Sequence, residues 1–479
     1  MADTGLACNA QWFADASGGS LVKGENLVFS QVDSDSRLCK KASLFVAIKG
    51  ENSDGHDYAS QAINNGATVV LVNSAWWKEN GQKLPVISNA AVIAAEDSIK
   101  ALQKAATAYR RLFPKLLRIA VSGSSGKTTT KELLAAIFSI SRNTVKNPGN
   151  LNSDIGLPVS IFNIRKEHEV AVFELGINYP GEMDILASVY EPDCALLTNI
   201  GTAHIGVLGG SRQKIAIEKA KIASHFNGRQ SLIIYEQDDF KDLLIAGLNG
   251  RAETFGYNSL PGLLYTKDKG LEGWLINFDG LEIKLKLPGK HNLLNAMAAI
   301  KTAVLYGIKP HDIALGLESV NPLEGRSRIL KGRFDVIDDC YNANAESAEA
   351  AMALCSSVKV EGRHIFVLGS MKELGEESAA AHKRLGKAAM SAKPDLLVFF
   401  GEEARDAYNA AIEAAGMADF KPAIPHIPQI VHFDSYPELE AFMVSAVRDK
   451  DIVLVKASRA MALERLVKQL ETSGGLHAS

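Results

Sequence analysis

Along this chain, short runs that stay apolar for a strand's length alternate with longer stretches in which apolar residues recur every three or four positions. The first kind reads as strands buried on both faces, the second as helices covering them. Three zones of this alternation follow one another. From about residue 26 to 109 the runs are "SLFVAIKG", "ATVVLVN" and "LPVISNA", followed by the helical stretch "AEDSIKALQKAATAYRRLF", which stops at Pro114. The second zone opens with "KLLRIAVSG", continues with "VAVFELG" and "CALLTNIG", and runs to Asn321-Pro322, with an antiparallel patch expected near residues 252 to 287. The third repeats the alternation with "FDVIDDC", "HIFVLGS", "DLLVFFG" and "DIVLVKAS", separated by alanine-rich helices. Strands alternating with helices predict parallel sheets and an α/β fold. Three domains are expected, over residues 1–112, 113–322 and 323–479, the last two doubly wound.

Length agrees with that division, because 479 residues exceed what one hydrophobic core serves. Apolar residues make up 47% and charged residues 22%, the balance of a globular protein rather than a disordered one. The net charge of -3, with Lys and Arg spread along the chain, argues against a nucleic-acid partner. The start "MADTGLACNAQWFADASGG" has no basic segment leading into an apolar run, so no secretory signal is expected. No stretch reaches the ~18 to 20 apolar residues that span a bilayer, so no membrane insertion is expected. Five cysteines, odd in number and without zinc-site spacing, read as reduced thiols of a cytoplasmic protein.

The chemistry concentrates at "IAVSGSSGKTTTK", residues 119 to 131. An apolar strand, Leu116 to Val121, runs into a glycine turn. A helix follows in which Leu133, Leu134, Ile137 and Phe138 share one face. That order aims backbone N–H groups and the positive helix end at an anion. The spacing is unusual, because the common phosphate loop has a glycine five positions before Gly126 and this chain has Val121 there. Gly123, Ser124, Ser125, Gly126, Lys127, Thr128 and Thr129 form the expected nucleotide loop, Lys127 reaching the terminal phosphates and the Thr128 hydroxyl ligating Mg2+. Glu174 ends one later strand and His204 follows another, so both are candidate ligands of the same ion. Taken singly they would read as a capping glutamate and a surface histidine. The absence of a Gly-x-Ser-x-Gly elbow, or of a cysteine beside a histidine, points to metal-assisted phosphoryl transfer.

With these residues assembled, the chain resembles the Mur ligases, whose short ATP loop often has a small residue at the outer glycine. "DSDSRLCKKASLFVAIKG" and "DGHDY" are similar to the family's uridine-diphosphate-binding domain, which makes Ser36 and Arg37 candidate substrate contacts. "NPGNLNSDIGLP", "FELGINYPGEMDIL", "TNIGTAHIGVLGG", "DDCYNANAES" and "VLGSMKELG" resemble the D-alanyl-D-alanine-adding branch, the MurF type, which makes Asn150, Asn152, Asn342 and Asn344 candidate substrate contacts and Asp339 a candidate nucleotide contact. "GKHNLLNAMAA" carries Asn295, whose counterpart approaches adenine, and "EGRSRIL" carries Arg326, whose counterpart contacts ATP phosphate. The family also has a lysine carbamylated by CO2, and of Lys214, Lys219 and Lys221 the spacing from His204 fits Lys219 best. Three positions depart from the pattern: Ala345 for a proline, Ser370 for an aspartate, and Ala457 for a glycine.

The resemblance implies a small N-terminal UDP-binding domain, a central P-loop-type ATPase domain and a C-terminal Rossmann-like domain. It implies a monomeric amide ligase using ATP and Mg2+ on two small-molecule substrates, a UDP-muramoyl tripeptide and D-alanyl-D-alanine. Lys127, Lys219, His204 and Arg326 would carry the catalysis, and Lys456 to Arg459 with "VLGSMKELG" would face the dipeptide. The alternatives are the dibasic-residue-adding ligase or another Mur-type amide ligase, and, in a different class, a P-loop ATPase that makes no bond.

Overall fold

The computed structural model describes residues 8–81, 90–416 and 428–478. The run "LPVISNA" falls almost wholly outside the described residues. Four sheets organise the rest. The N-terminal sheet has five strands, with Ser20–Lys23 antiparallel at one edge and the others parallel. Its "DGHDY" motif is a local brace. Asp54 accepts from the His56 backbone N–H, and the His56 ring accepts from Asn73 N–H at 2.9 Å while stacking on Trp76.

The central sheet is wholly parallel. Its order is Arg251–Phe255, Ser231–Tyr235, Cys194–Leu197, Leu117–Ser122, Val170–Glu174 and Thr144–Lys146. The expected antiparallel patch is therefore smaller than the sequence suggested. Arg251–Phe255 extends the parallel sheet, and only Leu263–Asp268, Trp274–Phe278 and Leu281–Leu285 form an antiparallel three-stranded sheet. A strand has period two, so a sheet buried on both sides divides its residues between two cores. Ile119, Val121, Val170, Val172, Cys194 and Leu196 go to one core, with Leu133, Leu134, Ile137 and Phe138 of the following helix. Ala120, Ala171, Phe173, Ala195 and Leu197 go to the other. These strands lack polar alternation because neither face meets water.

The C-terminal sheet runs Gln429–Phe433, Leu396–Phe400, His364–Gly369, Ile452–Lys456, Asp335–Asp339, Arg328–Lys331 and His477–Ala478. The first five are parallel, and Arg328–Lys331 and His477–Ala478 are each added by antiparallel pairing, a doubly wound sheet with an antiparallel edge. In both large sheets one strand sits between neighbours reached by crossovers of opposite direction, and the crevice at its C-terminal end is where α/β proteins bind ligands. Among the described residues, no helix is long and apolar enough to cross a membrane. The five cysteines are buried and unbonded.

The departures at 370 and 457 are accommodated. Buried Ser370 accepts the Ala404 N–H at 3.1 Å, capping the helix Ala404–Gly416. The Ala457 methyl packs on Gly369, where a Cβ would come within 2.6 Å of it. Ala345 opens the helix Ala345–Ser357, which Asn344 and Ser347 cap reciprocally.

Candidate active site

The crevices of the two large sheets face each other across a cavity of ≈ 530 Å³. Its floor is the turn between Leu117–Ser122 and the helix Lys127–Ser139. No side chain caps that helix, whose N-cap Gly126 has φ 78°. Its first N–H groups are therefore left for a ligand, and they carry the positive end of the helix dipole. Gly123 has φ 144°, and a Cβ there would overlap the Thr198 hydroxyl. The end of the neighbouring strand braces the turn from below. Ser124 N–H and Ser125 N–H donate to the Asn199 backbone and side-chain oxygens at 3.0 and 3.1 Å, and Ser124 Oγ accepts from Gly201 N–H at 2.8 Å. Asn199 thus braces the loop, a role that its place in "TNIGTAH" does not announce.

Two lysines converge on one acceptor. Lys127 Nζ and Lys219 Nζ each donate to the Gly123 carbonyl at 3.0 Å. Burial holds the Lys219 ammonium well below the usual lysine range, and the charge of Lys127 adds to that effect. Lys127 is also lowered, chiefly by burial; Glu174 opposes the shift and Arg326 supports it. Lys127, Lys219 and Arg326 thus act electrostatically on one another or on the same loop, with Glu174 as the carboxylate among them.

Glu174, 3% exposed, has both oxygens engaged: Thr128 Oγ1 donates to Oε2 at 2.7 Å and Asn152 Nδ2 to Oε1 at 2.7 Å. Asn147 clamps its backbone by bonds to both N–H and C=O. Buried Lys131 in turn donates to the Asn147 carbonyl at 2.9 Å. A hydroxyl and a carboxylate oxygen side by side form the donor set of a hard cation such as Mg2+. His204, at φ 59°, lines the same cavity, and its Nδ1 lies 2.6 Å from Glu373 Oε2, off the N–H axis. Among the described residues no three His, Cys, Asp or Glu side chains gather as a cage. An ion here would complete its shell with phosphate oxygens and water, as Mg2+ ordinarily does.

The roof comes from the third zone. Arg326 sits in a turn with Gly325 at φ 70° and Ser327 at φ 53°, which lays its guanidinium 4.1 Å above the Tyr341 ring. Arg459 approaches the same ring at 5.8 Å. Asp339 accepts from Ser327 N–H at 2.9 Å and from Lys456 Nζ at 2.7 Å, and Lys456 also reaches the Asn342 carbonyl. Asn295 closes against Gly126, where a Cβ would lie 2.5 Å from its Oδ1. Thr129, Asn150, Asn342 and Asn344 line the cavity, although the Asn344 side chain also caps a helix. Ser36 and Arg37 are outside it. Ser36 donates to Gln61, and exposed Arg37 pairs with Asp35.

Family models match three consecutive segments: the Mur ligase family, catalytic domain over residues 28–115, the Mur ligase middle domain over 121–303, and the Mur ligase, glutamate ligase domain over 325–459. The chain belongs to the Mur ligase family. It is 37% identical over 450 residues to the UDP-N-acetylmuramoyl-tripeptide–D-alanyl-D-alanine ligase of Treponema pallidum, covering 91% of this chain and 93% of that one. A crystal structure of MurF from Acinetobacter baumannii superposes with a TM-score of 0.83 at 29% identity, over 97% and 99% of the two chains. MurF of Thermotoga maritima in complex with ADP gives 0.73 at 27% identity, over 93% and 98%. This Mur ligase therefore has the α/β architecture and the ATP-dependent ligase class that its sequence suggested.

Proposed function

We propose that this Mur ligase joins D-alanyl-D-alanine to a UDP-N-acetylmuramoyl tripeptide, using ATP and Mg2+, as a cytoplasmic monomer in peptidoglycan precursor synthesis. The observation that carries the reading is the cluster of Lys127, Lys219 and Arg326 around a phosphate loop that also presents the Thr128–Glu174 oxygen pair. Residues 1–112 act as the UDP-binding unit, 113–322 as the ATP-binding ligase unit and 323–479 as the closing ligase unit.

The chemical obstacle is that a carboxylate resists attack by an amine. An oxygen of the tripeptide's terminal carboxylate attacks the γ-phosphorus, the bond to the β-phosphate oxygen breaks, and ADP leaves an acyl phosphate behind. The dipeptide amine then attacks the acyl carbon, phosphate departs with the C–O bond, and the new amide sheds a proton. Gly126 to Thr129 would cradle the phosphates with their free backbone N–H groups, Lys127 and Arg326 would neutralise the moving charge, and Asn295 would face the adenine side, while Gly123 shapes the turn and Ser124 and Ser125 stay tied to Asn199. Thr128, Glu174 and His204 would hold Mg2+, which supplies further charge neutralisation at the phosphates. Asn150, Asn152, Asn342 and Asn344 would position the substrates, and Asp339 would stand on the nucleotide side with Arg326. Ser36 and Arg37 would meet the uridine diphosphate.

Lys219 has a distinct part. Its burial favours the neutral amine, which can attack CO2, form an N–C bond and release a proton. The resulting carbamate would turn a destabilised buried cation into an anion beside Lys127. The reading is tested by phosphate release from ATP and Mg2+ with the tripeptide substrate present and D-alanyl-D-alanine added or withheld. Release dependent on both, with a product heavier by the dipeptide, supports the ligase; release indifferent to the dipeptide returns the loop to a plain ATPase.

A further inference from the structure

His204 stands on a loop, Gly201 to Gly206, that the third zone grips at three points. Glu346 Oε2 accepts from Thr202 Oγ1 at 2.9 Å, and its carboxylate lies against Gly201, where a Cβ would come within 2.9 Å of Cδ. The Glu373 carbonyl accepts from Gly206 N–H at 3.2 Å. Glu373 Oε2 sits 2.6 Å from His204 Nδ1. Gly206 and Gly375 meet backbone to backbone, and a Cβ on Gly206 would overlap the Gly375 amide. Both residues of this contact hold a left-handed backbone, His204 at φ 59° and Glu373 at φ 65°. Such residues cost energy and persist where the surroundings over-determine them.

We propose that Glu373 is a positioning residue that couples docking of the C-terminal domain to the orientation of His204. A carboxylate behind a metal-ligating imidazole keeps the proton on the nitrogen facing it and turns the other nitrogen to the metal. Here that carboxylate comes from a different domain, so His204 is correctly oriented only when the C-terminal domain is seated. Glu346, the Gly206–Gly375 contact and the Glu373 carboxylate together supply the docking, and Glu373 alone transmits it to His204. Only the metal-ligating role of His204 rests on the ligase reading; the docking does not.

The test uses the full chain with Glu373→Gly, which suits the positive φ while removing the carboxylate, and Glu373→Gln, which keeps shape and an acceptor oxygen. ADP binding is measured calorimetrically with and without Mg2+, and compactness by small-angle X-ray scattering with ADP and Mg2+ present. Glu373→Gly should weaken Mg2+-dependent ADP binding about tenfold, the range for carboxylates supporting ligating histidines. ADP binding without Mg2+ should stay within twofold, on the order of ordinary surface substitutions. The radius of gyration should rise, and Glu373→Gln should lie between wild type and Glu373→Gly on both readouts. Equal weakening with and without Mg2+, or wild-type binding and compactness in Glu373→Gly, would overturn the proposal. Both readouts remain measurable if the wild type forms no dipeptide-dependent product, so failure of the ligase reading is distinguishable from failure of this one.

Discussion

Lys131 is fully buried in the first turns of the helix Lys127–Ser139, yet it does not line the cavity. Its Nζ donates to the Asn147 carbonyl at 2.9 Å, approaches the Gly149 carbonyl at 3.4 Å, and lies 3.3 Å from Glu132. Asn147 clamps Glu174, and the same turn carries Asn150 and Asn152, so one ammonium ties the nucleotide loop to the proposed substrate wall. In Lys131→Met the stem keeps its packing and the amine is lost. A hydrogen bond to a charged group contributes about 1.5 to 3 kcal/mol, and the second carbonyl is too far to count fully, so about 2 kcal/mol should disappear. A domain of this size shifts its melting temperature by roughly 2 to 4 °C per kcal/mol, which gives about 4 to 8 °C in the central-domain transition. The control is Lys146→Met, an exposed partner of Glu132, expected to shift it by less than about 2 °C. In steady-state kinetics, Lys131→Met should lose about tenfold in kcat/KM for the tripeptide substrate, roughly 1.4 kcal/mol, with ADP affinity unchanged. A melting shift no larger than the Lys146→Met control would refute the claim that this amine holds the turn together.

Gly123→Ala should abolish ADP binding by calorimetry with the fold retained by circular dichroism, because φ 144° and the Thr198 hydroxyl both exclude a Cβ. Burial pushes the Asp33 carboxyl up to about 6 from 3.8, so the folded state favours its protonated form. That contribution is complete below pH 3.8 and is lost as pH rises through about 6. The shift is worth roughly 3 kcal/mol, about half that after allowing for partial exposure, so Asp33→Asn should melt higher than wild type at pH 7 and equally at pH 3.5. For Lys219, activity should fall when CO2 is stripped from the buffer and return with bicarbonate, while Lys219→Met stays inactive under both conditions. Recovery of Lys219→Met by bicarbonate would count against the carbamate.

Much of the site was legible because its signals are local. A strand, a glycine turn and a helix face are specified within "IAVSGSSGKTTTKELLAAIF", and φ 144° at Gly123 is a demand only glycine meets cheaply. Glu174 could be placed in the candidate site because it ends a strand whose every residue is buried. The zones were visible as well, since strands covered on both faces need unbroken apolar runs. The parallel pairing of Arg251–Phe255 was not, because a five-residue run looks the same in either direction until its neighbour is known.

What only the tertiary structure decided is which distant groups share a partner. Lys127 and Lys219 are 92 positions apart and donate to the same carbonyl, which nothing in "SRQKIAIEKAKIASHF" announces. Lys131 has the composition of a solvated helix lysine and is wholly buried. Asn344 looked like a substrate contact and also caps a helix, and Glu373 looked like part of a dipeptide wall and lies on His204. Sequence spacing fixes backbone turns and the faces of single elements, because those depend on neighbours along the chain. Charge burial, shared acceptors and contacts between domains depend on neighbours in space, and the fold alone supplies those.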